Sequence, residues 1–279
     1  MKPLRATKLL VTDIDGTLLD AQGRLPPANV AALQQWVDGG GVLALATGRN
    51  LTVTRPIAQA IARDVFLILQ DGALLMRYPA GETLAWHNLQ QPVAQSACDI
   101  LLNAGLSALV FAPLPNGQHF DVLSNNALSP GLRAYLRSKA GQFQRRNGMY
   151  RFVGASKIVT IDSRSKTDAA WYHLKRRLPQ ARVIRTEARG RDVWFMEVGS
   201  PLASKMQGLQ TLLQHLRLSF AQVIAVGDAE NDVEILRAAG LGVAMANASG
   251  RVKAVADLVI KSNSEDGLAH FLNDEGESW

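Results

Sequence analysis

A short apolar run that ends in an aspartate occurs near both ends of the chain, and it limits the folds that the sequence can adopt. Residues 8–12 are followed by Asp13, and residues 222–226 are followed by Gly227 and Asp228. Short apolar runs bounded by turn-forming residues are typical of buried β-strands. The chain therefore contributes two buried strands with acidic tips from opposite ends of its sequence.

The segments around these two runs alternate between strand and helix patterns. Apolar runs at 42–46 and 65–69 predict further buried strands, and apolar residues at helical spacing predict helices over 28–38 and 52–63. The C-terminal part predicts helices and short strands at 203–216, 230–239, 242–246, 252–256, 258–260 and 266–272. Continuous apolar strands joined by helices indicate a parallel sheet covered on both faces.

The middle of the chain has a different pattern, in which strands follow one another between helices. It predicts a hairpin at 74–78 and 83–87, helices over 91–104 and 166–178, and strands near 107–112, 119–124, 148–153, 157–162, 182–187 and 192–198. Such runs of strands favour an α+β layer. We predict an α/β fold with a Rossmann-like parallel-sheet core from residues 1–86 and 199–279, and an inserted α+β domain from residues 87–198.

Positive charge is concentrated in the predicted insert. The whole chain has a formal net charge of +6, but residues 87–198 hold 16 Lys and Arg against 7 Asp and Glu. A basic chain is one sign of nucleic-acid binding, yet the basic residues are not interleaved with aromatic ones and no known binding motif is present. We expect an anionic small-molecule substrate and no nucleic-acid partner.

The sequence also predicts the compartment. No apolar run approaches the roughly 18 residues that a membrane helix needs, and Asp13 and Asp15 interrupt the N-terminal apolar stretch, so no signal peptide is predicted. The single cysteine, Cys98, excludes an internal disulfide and cysteine-based zinc sites. We expect a cytoplasmic protein that is not bound to membranes and is a monomer or a small homo-oligomer.

Two motifs at predicted strand ends carry candidate chemistry. In Asp13-Ile14-Asp15-Gly16-Thr17, two carboxylates follow a buried strand, where open parallel sheets place their ligands. Such a pair binds a hard cation or divides the roles of nucleophile and acid, although an acidic turn is the simpler interpretation. In Thr47-Gly48-Arg49, a hydroxyl, a backbone N–H and a guanidinium suit a phosphate, although an ordinary turn has the same residues.

Two further motifs lie at predicted helix starts. Lys205 opposes the helix macrodipole there, which suggests a task beyond stability, although a solvated surface lysine is the simpler interpretation. In Gly227-Asp228-Ala229-Glu230-Asn231-Asp232, Asp228 suits a metal ion, although a helix cap explains part of the pattern. Acids, a hydroxyl, an amide and a lysine together indicate phosphoryl chemistry on Mg²⁺.

In this order the four motifs resemble those of the haloacid dehalogenase superfamily. Residues 242–248 and 262–267 are similar to its Cof-like branch, which carries a large α/β cap between the second and third motifs. The resemblance covers about residues 1–86 and 199–279, and it covers the insert only by size and position. It implies a hydrolase core and a substrate-specificity cap that closes over the site.

The resemblance also implies a role for each matching residue. Asp13 would be the nucleophile that forms an aspartyl-phosphate, and Asp15 would be the general acid and base. The Asp13 carboxylate, the Asp15 carbonyl and Asp228 would hold Mg²⁺. The remaining residues would bind phosphate or substrate (Thr47, Gly48, Arg49, Lys205 and Asn231) or lie behind the metal and orient its ligands (Asp232).

Two residues depart from the branch. Asp71 stands where asparagine is usual, and Met206 follows Lys205 where glycine is common. Within the insert, two or three basic residues are expected to select the leaving group, from the candidates Arg145, Arg146, Arg151, Lys157, Arg185, Arg189 and Arg191.

The function expected from these residues is Mg²⁺-dependent hydrolysis of small phosphorylated metabolites, with sugar phosphates as the first candidates. One alternative is a phosphotransferase or phosphomutase, because an aspartyl-phosphate can be passed to an alcohol instead of water. Another alternative is a regulator that binds a phosphometabolite without turnover.

Overall fold

A computed structural model describes residues 8–111, 120–146, 155–187 and 192–274. Contacts divide the chain into two compact units, which we call the core unit (Met1–Trp86 with Ser204–Trp279) and the inserted unit (His87–Ala203). The strand predicted at 148–153 lies outside the described residues. No helix in the described ranges combines the length and the apolar character needed to cross a bilayer.

Strands and helices alternate along most of the described sequence. The strands are β1 (Leu9–Thr12), β2 (Val42–Ala46), β3 (Val65–Leu69), β4 (Leu74–Tyr78), β5 (Glu82–Trp86), β6 (Ala108–Phe111), β7 (Phe120–Leu123), β8 (Phe143–Arg146), β9 (Lys157–Asp162), β10 (Arg182–Glu187), β11 (Trp194–Gly199), β12 (Val223–Gly227), β13 (Leu241–Met245) and β14 (Leu258–Ile260). The helices are α1 (Pro27–Asp38), α2 (Leu51–Ile61), α3 (Gln91–Asn103), α4 (Pro130–Ser138), α5 (Arg164–Arg177), α6 (Lys205–Leu216), α7 (Val233–Ala238), α8 (Gly250–Lys253) and α9 (Gly267–Asp274).

The core unit is built on an eight-stranded sheet with the order β14-β13-β12-β1-β2-β3-β4-β5. The strands from β14 to β3 are parallel, and β4 and β5 add an antiparallel hairpin at one edge. The carboxyl ends of β1, β2, β3 and β12 therefore lie at the same edge of the sheet, where such sheets bind ligands. The predicted parallel-sheet core is confirmed.

Helices cover both faces of this sheet. Leu10 packs with apolar residues of α1, α2 and α9, whereas its neighbours Leu9 and Val11 pack with residues of α6, α7 and α8. Because alternate residues of a strand point to opposite faces, a strand covered on both sides must be apolar throughout. This requirement explains why the apolar runs of the sequence are continuous.

The inserted unit has a six-stranded sheet with the order β10-β11-β9-β6-β7-β8. Its paired strands are antiparallel, except that β7 and β8 are parallel. One face of the sheet packs against α3 and α5, and the other face packs against α4. The predicted mixture of strand runs and helices is present in this unit.

Three elements differ from the prediction. Helix α4 and strand β8 were not predicted, and the helix predicted over 230–239 is a 3₁₀ turn at Glu230–Asp232 followed by α7. The start of α4 is fixed by Ser129, whose hydroxyl accepts a hydrogen bond from the Leu132 N–H at 3.1 Å. A serine cap followed by proline is a helix start signal that the apolar pattern alone does not reveal.

Candidate active site

Asp13 lies at the carboxyl end of β1, in the middle of the core sheet. Its N–H donates to the Val226 carbonyl at 2.9 Å, which extends the pairing of β1 with β12 by one residue. The residue is 5% exposed. The chain then turns through Gly16, which has a φ of +80°. The sheet thus fixes the backbone of Asp13 and places its carboxylate in a buried position.

Lys205, the first residue of α6, is buried between two carboxylates. Its Nζ donates to Asp13 Oδ1 at 2.6 Å and to Asp232 Oδ1 at 2.7 Å, and the residue is 2% exposed. The hydroxyl of Ser204 accepts from the Gln207 N–H and caps the helix just before the lysine. Lys205 is therefore an internal counter-ion and not a solvated surface lysine.

Burial and the neighbouring charges both shift the pKa values of this cluster. Burial raises the pKa of Asp13 to about 7, although the Lys205 ammonium lowers it and the Asp232 charge adds to the rise. Burial lowers the pKa of Lys205, but Asp13 and Asp232 outweigh that effect and its pKa is raised above the ordinary value. Lys205 therefore remains charged, and its charge favours the ionised form of Asp13.

Asp228 and Asp232 come from the segment that follows β12. Asp232 Oδ2 accepts from the N–H groups of Asp228 and Ala229 at 3.2 and 3.0 Å, so both of its oxygens have donors. Asp228 Oδ1 accepts from the Thr17 hydroxyl at 2.9 Å. Burial is the main cause of the raised pKa of Asp228.

These carboxylates fit a divalent cation. Ligand oxygens of Asp13, Asp228 and Asp232 lie within 4.8 Å of one another. Three carboxylates face one ammonium, so the cluster lacks positive charge, and its donors are the hard oxygens that Mg²⁺ binds. A Cβ on Gly16 would overlap the Asp228 carboxylate, so the glycine leaves room for that group.

Thr47 and Arg49 follow β2 at the same sheet edge. Thr47 is buried, and its hydroxyl accepts from the Arg49 N–H at 3.1 Å. The Arg49 guanidinium donates to both carboxylate oxygens of Asp15, at 2.8 and 2.5 Å. The side chain of Asp15 is 60% exposed. The Asp15 carboxylate is therefore directed to Arg49 and is not among the three carboxylates that lie close together, whereas the ligand that the resemblance implies for this residue is its main-chain carbonyl.

Asn231 and Gly48 are brought together by Asp71. The Asn231 Nδ2 donates to Asp71 Oδ1 at 2.9 Å. Asp71 Oδ2 lies 3.1 Å from the position that a Cβ on Gly48 would occupy. Asp71, which stands where the branch usually has asparagine, therefore links the Thr47-Gly48-Arg49 motif to the motif at residues 227–232.

Two asparagines that were not predicted as site residues support the loop after β1. Asn247 Nδ2 donates to the Gly16 carbonyl at 2.8 Å, and Asn247 Oδ1 accepts from the Asn263 N–H at 3.1 Å. Asn263 Nδ2 donates to the Leu19 carbonyl at 2.7 Å. Each asparagine follows one of the C-terminal strands of the sheet, and that position is the sequence signal that identifies them.

Some of the basic residues expected to select the substrate have acidic partners within the inserted unit. Lys157 donates to Glu197 at 2.9 Å. Arg185 pairs with Asp168, and its guanidinium lies over the rings of two tryptophans. Both basic side chains therefore have partners within the inserted unit in the absence of a ligand.

The other candidates divide into three cases. Arg146 donates to Asp121 at 3.2 Å. Arg145 lines a cavity of about 420 Å³ together with Arg133 and Arg137. The remaining candidates lie outside the described residues: Arg151, Arg189 and Arg191.

A family model described as haloacid dehalogenase-like hydrolase matches residues 10–272 of the chain. The chain belongs to this family. The predicted Cof-like resemblance and the predicted class, a phosphoric monoester hydrolase, are confirmed.

Relatives named as phosphatases match the chain over most of its length. An HMP-PP phosphatase of Cronobacter sakazakii (strain ATCC BAA-894) is 31% identical, over 93% of this chain and 92% of that protein. The pyridoxal phosphate phosphatase YbhA of Escherichia coli (strain K12) is 29% identical, over 95% of this chain and 97% of that protein. The chain is also 27% identical to an Arabidopsis thaliana protein named endoribonuclease YBEY, chloroplastic, of which it spans 45%.

The fold is shared with solved structures. The crystal structure of a haloacid dehalogenase-like hydrolase from Bacteroides thetaiotaomicron superposes with a TM-score of 0.79 and 25% identity, and the match covers 96% of this chain and 99% of that chain.

Proposed function

We propose that this phosphatase hydrolyses monophosphate esters of small metabolites, sugar phosphates first among them, with Mg²⁺ and through an aspartyl-phosphate on Asp13. The observation that carries the proposal is the buried Lys205, which lies between Asp13 and Asp232 beside the carboxylate of Asp228. A carboxylate next to a fixed cation and a metal-binding set is suited to attack a phosphate that carries negative charge.

Asp13 and Asp228, with the main-chain carbonyl of Asp15, are the ligands that we propose for Mg²⁺. Both oxygens of Asp232 already accept hydrogen bonds, so this residue is proposed to orient Lys205 and the backbone of Asp228. When bound, Mg²⁺ supplies positive charge that offsets the charge of the phosphate.

The reaction proposed for these side chains has two displacements at phosphorus. A carboxylate oxygen of Asp13 forms a bond to phosphorus while the ester oxygen leaves and takes a proton from Asp15. Asp15 then removes a proton from water, whose oxygen attacks phosphorus and releases Asp13 and inorganic phosphate. Because Asp15 is paired with Arg49 in the structure, the scheme requires Asp15 to exchange this partner for the leaving oxygen.

Donors around the nucleophile are proposed to hold the phosphate. The ammonium of Lys205, the hydroxyl of Thr47 and the backbone N–H of Gly48 provide charge and hydrogen bonds, and Arg49 and Asn231 add a guanidinium and an amide. The inserted unit is proposed to act as the substrate-selecting cap, because its excess of basic residues suits anionic substrates. The cytoplasm is the proposed compartment, because Cys98 is unpaired.

The test is release of inorganic phosphate from a panel of phosphorylated metabolites, including sugar phosphates and pyridoxal phosphate, with and without Mg²⁺. We expect turnover that requires Mg²⁺ and a phosphorylated Asp13 peptide in acid-quenched wild-type enzyme. Asp13→Asn should abolish both signals, whereas Asp38→Asn, at an exposed carboxylate paired with Arg63, should abolish neither. Wild-type turnover in Asp13→Asn would exclude the covalent route.

A further inference from the structure

Residues 70–72, directly after β3, adopt an unusual backbone conformation. Gln70, Asp71 and Gly72 all have positive φ angles, of 52°, 54° and 92°. Glycine adopts such angles readily, whereas glutamine and aspartate do so at a cost in free energy. Strained backbone persists where the surrounding structure holds it, and it is concentrated at functional sites.

Backbone contacts hold this segment among the site loops. The N–H groups of Gln70 and Asp71 donate to the carbonyl oxygens of Arg49 and Thr47, each at 2.9 Å. Gly72 lies against the start of α6, where a Cβ would overlap the carbonyl oxygen of the capping serine. The segment is therefore fixed between the second motif and the helix that carries the buried lysine.

The side chain of Asp71 makes the contact that matters for the reaction. Its Oδ1 accepts from the Nδ2 of Asn231 at 2.9 Å across 160 residues of sequence. A carboxylate accepts hydrogen bonds and does not donate them, so the amide of Asn231 must turn its nitrogen toward Asp71. An asparagine at position 71 has both a donor and an acceptor and would tolerate either orientation of the Asn231 amide.

We infer that Asp71 is a positioning residue that fixes the orientation of the Asn231 amide. With one N–H directed at Asp71, the second N–H of the same nitrogen has a set direction, and the amide oxygen points away from Asp71. The second N–H is then the donor that Asn231 presents to a phosphate, so the inference rests on the proposed function. Asp71 itself does not touch the reacting atoms.

The experiment compares Asp71→Asn with wild type. The variant keeps the size of the side chain and an acceptor for Asn231. It adds a donor, however, so the Asn231 amide can bond to residue 71 in either orientation. We expect an unchanged melting temperature and a kcat lower by about tenfold, the value of one hydrogen bond in the transition state. Asp71→Ala should lower kcat at least as far.

A double variant tests whether Asp71 orients the Asn231 amide or only ties the loop of residue 71 to the loop of residue 231. Asp71→Asn with Asn231→Asp keeps an amide–carboxylate pair but presents a carboxylate to the phosphate. We expect no recovery of kcat in this variant. Recovery to the wild-type value, or a wild-type kcat in Asp71→Asn, would overturn the inference.

The control is an amide–carboxylate pair within one helix of the inserted unit. Gln95 Nε2 donates to Asp99 Oδ1 at 3.0 Å within α3, and Asp99→Asn should leave kcat unchanged. Affinity for inorganic phosphate, measured with Mg²⁺ by calorimetry, tests the positioning role of Asp71 separately from the proposed phosphatase function. If wild type has no turnover, the proposed function fails, but weaker phosphate binding in Asp71→Asn still supports the positioning role and equal binding rejects it.

Discussion

Lys205 and its two carboxylate partners depend on one another for stability. Removing one partner of a buried ion cluster leaves uncompensated charge and costs about 3–5 kcal/mol. We therefore expect Lys205→Met to lower the free energy of unfolding by about that amount and to abolish phosphate release. Urea denaturation and the phosphatase assay measure the two effects.

The matched control is Lys8→Met, at an exposed lysine of the core unit. Surface substitutions change the free energy of unfolding by about 0.5 kcal/mol or less. Equal free energies of unfolding in the two variants would contradict the dependence of the cluster on Lys205.

Substitution of Gly16 is expected to weaken metal binding. A Cβ at this position would overlap the Asp228 carboxylate, and the φ of +80° disfavours any other residue. Displacing a metal ligand or its support typically weakens metal binding 10- to 100-fold. We expect Gly16→Ala to raise the Mg²⁺ concentration for half-maximal activity by about tenfold or more.

Gly23→Ala is the control that separates the effect of a positive φ from the effect of overlap with the Asp228 carboxylate. It has a φ of +76°, but no heavy atom lies within 4 Å of a Cβ built there. Gly23→Ala should cost about 1–2 kcal/mol of stability from the positive φ alone and leave the Mg²⁺ dependence unchanged. A shifted Mg²⁺ dependence in Gly23→Ala would show that overlap with Asp228 is not the cause of the shift in Gly16→Ala.

The proximity of the candidate site residues could be predicted from the sequence, but some of their contacts could not. Asp13, Lys205 and Asp228 follow strands or begin helices, and strand ends meet at one edge of a parallel sheet. The pairing of Asp71 with Asn231 depends on side-chain directions and on a positive φ at residue 71, and neither leaves a periodic signal in the sequence.

At the scale of elements, α6 packs closely on β3 because Gly208 lacks a side chain. A Cβ there would overlap the Cγ2 of Ile68. Gly→Ala in a helix usually stabilises by about 1 kcal/mol, but overpacking a core costs about 1–3 kcal/mol. We expect Gly208→Ala to lower both the free energy of unfolding and kcat, because the displaced helix also carries Lys205.

Gly250, in α8, is the control for this substitution. No heavy atom lies within 4 Å of a Cβ built there. Gly250→Ala should leave the free energy of unfolding unchanged or raise it, as measured by urea denaturation. A loss of stability equal to that of Gly208→Ala would contradict the packing explanation.

The elements of the core unit were predictable because both sheet faces are covered, which forces continuous apolar strands. Strand β8 has the sequence Phe-Gln-Arg-Arg and lies at a sheet edge with its last three residues exposed. An exposed edge strand has no need for an apolar run, so hydrophobic periodicity does not reveal it.

At the scale of the whole molecule, the single cysteine reports on the unfolding of the inserted unit. Cys98 is buried in α3, and burial raises its pKa to about 12. Because the thiolate is the reactive form, we expect a thiol reagent at pH 8 to modify the folded protein roughly a thousandfold more slowly than the unfolded chain. Absorbance of the released chromophore, with and without urea, measures both rates.

The expected stoichiometry in urea is one thiol per chain. The rate in the folded protein should rise with pH, because a higher pH increases the thiolate fraction of a group whose pKa is raised. Rapid modification without denaturant would show that α3 opens readily. The urea dependence of the rate would then measure that opening.

The order of strands in the core sheet has a consequence for biosynthesis. Strand β1 lies between β2 and β12, so one of its edges is paired only after residue 227 has been made. A nascent chain that has emerged only as far as the insert presents an open, apolar strand edge, which is a template for aggregation. Asp13 is synthesised before the insert, yet its counter-ion, Lys205, is synthesised only after the insert.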